Sequence, residues 1–589
     1  MSDRPFHIMH LDMATGRGER SDFLSPAQCL GGSGLAAKLF EKFGHTDLPA
    51  LHPDQPLIFA IGPLTGHFPL MSKVVCGFKS PYNEQYAESH AGGRLALSLR
   101  FAGYDALVIT GRAARLSALF VAGQRLRLDD VEYMRGRDVF TTGKYLRHRA
   151  GSGGHRSIFR IGPAGENLCS YACINVDSFR HFGRLGSGAV MGAKNLKAVV
   201  VEGDRELPLA GGKEYKELFK SIYADLTATD MMSKYHNLGT AENLLALNEL
   251  SALPWNNLQK TKSPEIEGIS GERIAEQLLL KQTACSGCPV GCIHIGLLRE
   301  KFADENEYLY RQVSYDYEPV FACGSMLGLT NASEVLAVLD ACERQGMDVM
   351  SAGVALAWAA EALEKGLISE QETLLPLAFG DSKGFVAAMD CLGGRTNDFY
   401  EILARGAMVA AEHYGGEDFA CVLGQEMAGY ATGEVFYVSQ SMGFRHSHLD
   451  SGGYSYDQTA KDKDADKAVD FLVKDERGRV MLTSMVSCLF ARKIYSGERV
   501  AEALCSVGLA DTAANLDAKA DEMQRLRWRL KLATGFDPTE ARVPKRFMEV
   551  VTWKGAMDPA YLAALQTRYT QSILELGAAP APEPGPDPK

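Results

Sequence analysis

Three cysteines lie within eight residues of one another, in the segment Cys285-Ser-Gly-Cys288-Pro-Val-Gly-Cys292. Thiolates at this spacing can bind one compact metal centre, and the two intervening glycines would let the backbone turn around it. A [4Fe-4S] cluster takes four thiolates, so another cysteine must come from a distant part of the chain. Cys488 is the preferred fourth ligand, and Cys323 is the runner-up.

Three other interpretations of this segment are a structural zinc ion, a radical-generating cluster and a chance group of core thiols. Zinc ligands usually come in two closely spaced pairs, and His294 is the nearby alternative ligand. Radical enzymes that use S-adenosylmethionine have the longer gap between the first two cysteines, whereas here the longer gap comes second. Pro289 and two glycines in a segment without periodicity argue against core thiols. The segment therefore indicates an iron-sulfur site first and a zinc site second.

Glycine-rich blocks alternate with short apolar runs in the first 200 residues, and these runs are predicted to be strands. Loops such as 162–167 and 183–192 can bring backbone amides close to an anionic ligand. The spacing of Gly186, Gly188 and Gly192 does not match a dinucleotide-binding fingerprint, and the sequence has no GxxxxGK[ST] loop. Taken alone, these blocks are explained by tight turns between strands.

From about Gly212 onward, apolar residues recur three and four positions apart, which predicts helices. The clearest examples are 272–280, 333–344, 353–365 and 498–507. The fold class is therefore α+β, with an N-terminal sheet-rich domain at 1–210 followed by two mainly helical domains. The helical domains are predicted at 211–415, with the three-cysteine motif, and at 416–575, with Cys488. The proline-rich end, 576–589, lacks bulky side chains and is predicted to be disordered.

Composition excludes several classes of function. The chain has 62 basic and 73 acidic residues, a net charge of −11, which argues against nucleic acid as a partner. No apolar run approaches the ~18 residues of a membrane helix, so no membrane span is expected. The N-terminus has neither a secretory nor a twin-arginine signal, and the 13 cysteines are consistent with reduced thiols or metal ligands. A cytoplasmic location is the expectation.

Four blocks in a fixed order resemble the N-terminal, pterin-binding domain of the aldehyde:ferredoxin oxidoreductase family: GPLTG at 62–66, FAGYDALVITG at 101–111, IGPAGEN at 161–167 and GRLGSGAVMGAKNLKAVVVEG at 183–203. The family's cluster motif, CxxCxxxC with a later cysteine before a phenylalanine, is matched by the three clustered cysteines and by Cys488-Leu-Phe490. The resemblance runs from about residue 5 to about 550. It implies an N-terminal domain of two β-sheets that binds a pterin cofactor and two helical domains that close over it.

The resemblance also assigns residues to the cofactor. By position, the family's phosphate-binding arginines fall on Lys73 and Arg180, and lysine keeps the charge but loses the bidentate geometry of arginine. A magnesium-facing asparagine falls on His90, just before Gly92-Gly93, and a neighbouring backbone carbonyl falls at His181. The segment Glu343 to Asp348 resembles an acidic pterin-binding motif, whereas its counterpart before Cys488 opens with Thr483 instead of aspartate. Further cofactor contacts are implied for Gly183, Arg184, Asp348, Cys488 and Leu489.

Two segments resemble those that carry the reacting groups of the family. Tyr317-Glu318-Pro319 makes Glu318 the expected general base, and its pKa is expected to be raised by burial. Arg445-His446-Ser-His448-Leu449 would supply an imidazole, with His448 favoured over His446. Side chains two residues apart share a face only in extended backbone, so in a helix one imidazole must turn away. Upstream, Met427-Ala-Gly-Tyr430 replaces a more usual proline-rich stretch, which indicates a different substrate preference.

The function implied by the resemblance is oxidation of aldehydes to carboxylic acids, or the reverse, at a tungsten or molybdenum bis-pterin whose phosphates are bridged by Mg²⁺. Electrons would pass through one [4Fe-4S] cluster to ferredoxin or to an iron-sulfur partner subunit. Three alternatives stay open: a catalytic subunit of a larger complex that reduces an acid or an aromatic thioester, an iron-sulfur electron-transfer subunit without the pterin, and a zinc-stabilised binding protein. A homodimer is also expected, although the ExxH motif that binds an intersubunit iron in some members is missing. The sequence does not separate tungsten from molybdenum.

Overall fold

The N-terminal region contains two six-stranded sheets in the computed structural model, which describes residues 4–150, 155–207, 212–302 and 307–578. The first sheet has the order β2-β1-β6-β3-β4-β5 and the second has the order β11-β10-β9-β12-β7-β8. The strands are β1 (Phe6–Asp12), β2 (Arg17–Phe23), β3 (Leu57–Ala60), β4 (Val74–Lys79), β5 (Tyr86–Ala91), β6 (Ala106–Thr110), β7 (Ser117–Ala122), β8 (Arg125–Asp130), β9 (His155–Arg160), β10 (Ile174–Val176), β11 (Arg180–Phe182) and β12 (Leu196–Gly203).

The two sheets pack through one apolar core. The ring of Phe59 in β3 lies 4.6 Å from that of Phe159 in β9 and 5.3 Å from that of Phe182 in β11. Central strands such as β3 and β4 are buried on both faces, which explains why they occur in the sequence as continuous apolar runs. The predicted sheet-rich N-terminal region is confirmed. Its helices are α1 (Pro26–Cys29), α2 (Gly32–Phe43), α3 (Leu95–Ala102), α4 (Val139–Arg149), α5 (Pro163–Glu166) and α6 (Ser187–Ala193).

A third sheet of three antiparallel strands interrupts the region that was predicted to be helical. It consists of β13 (Leu279–Thr283), β14 (Ile293–Lys301) and β15 (Tyr308–Tyr315). The predicted helix at 272–280 is therefore too long, because helix Gly271–Leu278 ends where β13 begins. Thr283 pairs with Ile293, so residues 284–292, with all three clustered cysteines, form the connection between β13 and β14. This sheet fixes both ends of the cysteine loop.

The rest of the chain is mainly helical, as predicted. Before residue 416 the helices are α7 (Lys213–Ala228), α8 (Asp230–Asn237), α9 (Asn243–Glu249), α10 (Gly271–Leu278), α11 (Tyr317–Cys323), α12 (Ala332–Gln345), α13 (Val349–Glu364), α14 (Glu370–Thr373), α15 (Ser382–Gly394), α16 (Asp398–Leu403) and α17 (Ala407–Tyr414). After it they are α18 (Glu434–Ser441), α19 (Gly453–Thr459), α20 (Ala465–Ser484), α21 (Gly497–Ser506), α22 (Ala510–Ala514), α23 (Leu516–Ala533), α24 (Lys545–Met548) and α25 (Pro559–Gly577), with a hairpin of β16 (Val551–Thr552) and β17 (Gly555–Ala556).

The predicted domain limits are only partly described. The limit at 210/211 lies outside the described residues. The limit after Gly415 falls between α17 and a short 3₁₀ turn, Glu417–Phe419, and it stays a prediction, because one buried apolar cluster contains residues on both sides, such as Ala411 and Phe419. At the C-terminus α25 continues through Leu576 to Gly577, so the first residues of the predicted tail are helical, and 579–589 lie outside the described residues.

Within the described ranges, no single helix is long and apolar enough to cross a membrane. The segments Tyr317–Leu327 and Ala332–Gln345 pass that test only as a pair, by length and composition alone, and a bend of 109° separates them.

Candidate active site and cluster-binding cavity

A cavity of about 650 Å³ is lined by residues from the N-terminal sheets, from the loop between β13 and β14 and from the helices. Its walls include nearly all the side chains that the sequence singled out, namely Lys73, His90, Arg180, His181, Gly183, Arg184, Cys285, Cys288, Cys292, Glu318, Asp348, His448, Cys488 and Leu489. The volume is typical of sites that bind a whole cofactor. The cysteines and the candidate reacting groups therefore share one site.

Backbone geometry explains how the cysteine loop fits against its neighbours. Gly287 and Gly291 have φ of +67° and +68°, a conformation that favours glycine. The Ser286 amide donates to the Gly93 carbonyl at 3.0 Å, and the Leu70 amide donates to the Gly287 carbonyl at 3.2 Å. A Cβ on Gly92 would lie 2.6 Å from the Cys285 sulfur, so only glycine leaves room there. Gly92 and Gly93 thus support the loop from behind and do not line the cavity.

Cys488 approaches the same loop from the other side. Its amide donates to the carbonyl of Leu70 at 3.0 Å, and Leu70 is the same residue whose amide donates to Gly287. All four predicted ligands are half-buried, which leaves their sulfurs accessible to the cavity. Cys323, in contrast, is fully buried within α11 and does not line the cavity. The geometry favours Cys488 over Cys323 as the fourth ligand.

The protonation of these thiols depends on two nearby cations. Burial raises the pKa of Cys288 to about 11 and that of Cys292 to about 12. Burial also acts on Cys285, but Lys73 and Arg180 outweigh it, so the pKa of that thiol is lowered. Burial lowers the pKa of Lys73, yet the neighbouring Cys488 and Cys285 thiolates raise it overall. A positive charge on Lys73 is therefore coupled to thiolates in the loop.

The zinc interpretation fits this geometry poorly. Both ring nitrogens of His294 contact backbone carbonyls, Nδ1 that of Cys292 at 3.2 Å and Nε2 that of Asn237 at 2.9 Å. Its imidazole is thus held within the sheet and is not directed at the cysteines.

The ends of strands β4 and β11 place the predicted anion-binding residues. Val74 at the start of β4 pairs with Ala91 at the end of β5, so Lys73 lies opposite Gly92. Arg180 opens β11, and its Nε donates to the Phe179 carbonyl at 2.5 Å while the side chain lines the cavity. Two cations thus face the cavity beside the glycine pair. That arrangement suits a phosphate group.

The side chains of His90 and His181 are already bound to glutamates. His90 Nε2 lies 3.3 Å from Glu88 Oε2, and its Nδ1 lies 3.3 Å from Arg445 Nη1. Burial and Arg445 lower the pKa of His90 to about 4, so this imidazole is neutral. His181 Nε2 lies 3.2 Å from Glu343 Oε1.

Arg184 and Asp348 form a buried pair on the opposite wall. Arg184 Nε donates to Asp348 Oδ2 at 3.0 Å, and its Nη2 donates to the Glu426 carbonyl at 2.7 Å. Asp348 caps α13 by accepting from the amides of Met350 and Ser351. Arg184 Nη1 is buried without a hydrogen-bond partner among the described residues, so one donor remains available for a bound group.

Glu318 and His448 contact each other on the wall of the cavity. Glu318 lies in the first turn of α11, directly after β15, and its Oε1 is 3.0 Å from His448 Nε2. The Tyr430 hydroxyl donates to the same oxygen at 2.8 Å. His448 Nδ1 is buried and has no partner within the described part of the chain. A carboxylate and an imidazole in contact, with one free ring nitrogen, can accept and pass on a proton.

The expectation of a raised pKa for Glu318 is wrong. Burial does raise the pKa of Glu318, but the hydrogen bonds from His448 and Tyr430 to its carboxylate outweigh burial, so the pKa lies below the usual value. Asp316, two residues before it, behaves in the opposite way, since burial and the charge of Glu318 raise the pKa of Asp316. Of the two carboxyl groups, Glu318 and Asp316, Glu318 is therefore the one that is ionised first as the pH rises.

His446 does not reach the cavity. It has φ of +50° within the turn that follows α18, and its imidazole points away from that of His448. Its Nδ1 lies 3.0 Å from the Ser441 carbonyl, and its Nε2 lies 3.1 Å from Lys531 Nζ. Asp450 holds this turn closed by accepting from the Arg445 amide at 2.7 Å. The assignment of a reacting role to His446 is therefore not supported, and His448 is the imidazole at the site.

The buried His446 predicts an acid-sensitive fold. Burial and Lys531 lower the pKa of His446 to about 3. Below about pH 6.5 this histidine is therefore protonated in the unfolded chain but stays neutral in the folded chain. Stability is then lost as the pH falls from 6.5, by about 1.4 kcal/mol per pH unit for this group. His446→Gln is expected to flatten this loss between pH 6.5 and 5 in urea unfolding curves, whereas His413→Gln, at an exposed position, is expected to leave it unchanged. Equal slopes in both variants would contradict the assignment.

Comparison with known protein families matches two domains to this chain. The N-terminal domain of aldehyde ferredoxin oxidoreductases matches residues 8–203, and domains 2 and 3 of the same enzymes match residues 217–572. Together the matches cover most of the 589 residues. The chain belongs to the aldehyde ferredoxin oxidoreductase family. It is an oxidoreductase of that family, in agreement with the resemblance carried by the four glycine-rich blocks.

Two curated relatives and one solved structure are similar to this family member. The tungsten-containing aldehyde ferredoxin oxidoreductase of Pyrococcus furiosus is 29% identical over 564 residues, covering 92% of this chain and 91% of that protein. The WOR-like subunit of the aliphatic sulfonate oxidoreductase of the same organism is 28% identical and covers 65% of this chain and 62% of that protein. The active-site complex BamBC of benzoyl-coenzyme A reductase has the same fold, with a TM-score of 0.82, 19% identity, and coverage of 97% of this chain and 95% of that chain.

Several side chains at the site of this family member were not predicted. Tyr430 was noted only as part of an unusual stretch, yet it contacts Glu318 and stacks on Tyr454, with ring centroids 4.8 Å apart. Arg479 and Arg492 also line the cavity. Tyrosine and arginine are common in ordinary helices, so without a tertiary structure no pattern in the sequence distinguishes these four. The one available signal was the Met427 to Tyr430 departure from the family pattern.

Proposed function

We propose that this chain oxidises aldehydes to carboxylic acids at a tungsten or molybdenum centre held by two pterins, and that Cys285, Cys288, Cys292 and Cys488 bind one [4Fe-4S] cluster. The observation that carries the proposal is the shared cavity. It brings the Glu318–His448 pair and four accessible cysteines to one site, next to two cations that can bind phosphate. The tungsten-containing relative at 29% identity supports the same reaction.

The residues on the cavity wall fit a bis-pterin. Lys73 and Arg180 would bind its phosphates, and the unpaired Arg184 Nη1 and the Asp348 carboxylate would bind the ring donors and acceptors. Gly183 lines the cavity and leaves room for close approach, because a Cβ there would meet no heavy atom within 4 Å, whereas Gly92 and Gly93 support the cysteine loop and are not assigned a pterin contact. Thr483 replaces a carboxylate and is already bonded, since its hydroxyl accepts from Ser33 at 2.9 Å. One pterin would therefore have one acidic contact fewer.

The residues fit a bridging Mg²⁺ less well. Magnesium prefers oxygen ligands, whereas His90 offers ring nitrogens, and both of these already contact Glu88 or Arg445. The backbone carbonyl of His181 is an oxygen, the ligand type that magnesium prefers. His90 is better described as a residue that connects the buried Glu88 to Arg445, and we assign it no contact with the ion.

In the proposed reaction, an aldehyde and a water molecule give a carboxylate, two electrons and three protons. Glu318 is ionised and would accept the proton of the water as its oxygen adds to the carbonyl carbon. His448 and Tyr430 hold the carboxylate in place from two sides, and His448 would carry the proton onward through its free Nδ1. When bound, the pterin metal would take the electrons, and the cluster would release them one at a time to ferredoxin or an iron-sulfur partner subunit.

Metal analysis tests this proposal directly. Protein purified without oxygen is expected to contain about four irons per chain, together with tungsten or molybdenum, and to reduce viologen in the presence of an aldehyde. Iron without either heavier metal would favour the electron-transfer alternative. Zinc as the sole metal would contradict the proposal. A cytoplasmic location and a homodimer stay predictions.

A second candidate function is catalysis within a larger complex that reduces an acid or an aromatic thioester. The fold of BamBC matches 97% of this chain, and this likeness in fold is the observation that favours the second candidate. The two candidates differ in the acceptor of electrons, so aldehyde-dependent reduction of viologen by the isolated chain would favour the first.

A further inference from the structure

Arg492 lines the cavity and has no carboxylate partner in the part of the chain that the structure describes. It follows the short 3₁₀ turn Leu489–Ala491, and its Nη1 donates to the Leu489 carbonyl at 3.1 Å. Among the described residues, no carboxylate oxygen lies within 4.0 Å of its guanidinium. Asp475, the carboxylate whose charge acts on Arg492, already accepts from Arg479 Nε at 2.7 Å. A half-buried guanidinium has five donors, so several remain free toward the cavity.

Aromatic rings connect Arg492 to the reacting pair. Tyr235 is a hydrogen-bond partner of Arg492 and stacks on Phe490, with ring centroids 3.7 Å apart. Tyr430 lies between Glu318 and Tyr454, which lines the same cavity. Tyr454 also acts electrostatically on Arg492, so aromatic rings line the part of the cavity that carries both the acid-base pair and this cation, together with polar side chains such as Gln458.

The cavity opens to solvent on this side. Leu449, directly after His448, is 40% exposed although it lines the cavity, and Gln458 is exposed as well. A small molecule that enters here meets the aromatic wall before it reaches Glu318. Its trailing end would lie near Arg492.

We infer that Arg492 binds a carboxylate at the far end of the substrate, so that the preferred substrates are aldehydes with an apolar, flat body and a second, acidic group. The inference rests on the proposed oxidation of aldehydes and narrows it to a substrate class. A guanidinium binds a carboxylate through two parallel hydrogen bonds, which fixes both position and orientation. Such a contact holds the aldehyde carbon toward Glu318 from the opposite end of the molecule.

Two aldehydes that differ only in the acidic group provide the test. With the holoenzyme, 4-formylbenzoate is expected to have a kcat/KM about 10- to 100-fold above that of benzaldehyde, as a charge-assisted hydrogen bond would give. Arg492→Gln is expected to remove this preference through KM, to leave benzaldehyde within about twofold, and to be partly rescued by Arg492→Lys. Arg499→Gln, at an arginine paired with Asp225 outside the cavity, is expected to preserve the preference.

Binding of the dicarboxylate product gives a readout that does not need turnover. Calorimetric titration of the holoenzyme with terephthalate is expected to show at least tenfold tighter binding than with terephthalamide, which has the same shape but no carboxylate, and Arg492→Gln is expected to equalise the two. Equal affinities in the unchanged protein would overturn the inference. Loss of tungsten or molybdenum in Arg492→Gln would overturn it too, because the arginine would then hold the cofactor. If neither aldehyde is oxidised, the proposed function fails, and the titration still decides whether Arg492 binds carboxylates.

Discussion

Replacing Glu318 by glutamine is expected to lower aldehyde-dependent viologen reduction by about 10²- to 10⁴-fold, the usual contribution of a positioned general base. Glutamine has the same shape and can still contact His448 and Tyr430, but it cannot accept a proton from water. The loss is therefore expected in kcat more than in KM, because the aldehyde would still bind. Steady-state rates with a fixed aldehyde and anaerobic viologen measure both parameters.

A change of metal content would confuse this result, so iron and tungsten or molybdenum must be measured in the same samples. They are expected to equal those of the unchanged protein. Glu364→Gln, at an exposed position on α13, serves as the control for a lost carboxylate, and its rate is expected to be unaffected. Full activity in Glu318→Gln would remove this residue from the reaction and leave its carboxylate as a partner that only orients His448.

Cys488→Ser is expected to remove more than about half of the iron from the purified protein, since a cubane requires four thiolates and a serine hydroxyl is a poor substitute. The signal of the reduced cluster in electron paramagnetic resonance is expected to fall with it. Lys73 and the other three cysteines remain in place, so the remaining loop can at best hold an incomplete cluster. Iron per chain and the spectrum of the dithionite-reduced protein are the measurements.

Two other cysteines provide matched controls for the loss of a thiol. Cys323→Ala changes the runner-up ligand, which is buried in α11, and Cys505→Ser changes an exposed thiol on α21. Both are expected to retain about four irons per chain. If Cys323→Ala loses iron while Cys488→Ser keeps it, the fourth ligand has been assigned to the wrong cysteine.

Local patterns in the sequence predicted the strands and helices whose burial produces a regular apolar pattern. The central strands of the N-terminal sheets are buried on both faces, which makes them continuous apolar runs such as residues 57–60. The helices near 333–344, 353–365 and 498–507 likewise follow from their apolar periodicity. The cysteine loop followed from ligand spacing, because Cys285, Cys288 and Cys292 are close along the chain whatever the fold.

The sheet β13-β14-β15 was missed because β13 and β15 are largely polar and exposed, although the first part of β14 is buried. Residues such as Lys281, Arg299 and Tyr310 carry no alternating apolar signal. Pairing between these strands joins residues that are distant in the sequence, so local periodicity does not predict it. It closes the cysteine loop at Thr283 and Ile293, and it delivers Glu318 to the cavity at the end of β15.

The sequence also could not decide which of two neighbouring histidines faces the cavity. The sequence places His446 and His448 two residues apart and cannot decide their directions without the backbone conformation. In the turn closed by Asp450, the His446 imidazole contacts the buried Lys531, and the His448 imidazole contacts Glu318. The sequence by itself therefore determined the types of ligand, the family and the sheet-rich and helical halves, since these depend on spacing and periodicity. Only the tertiary structure decided which side chains meet, because contacts such as those of Tyr430 and Arg492 depend on packing between distant segments.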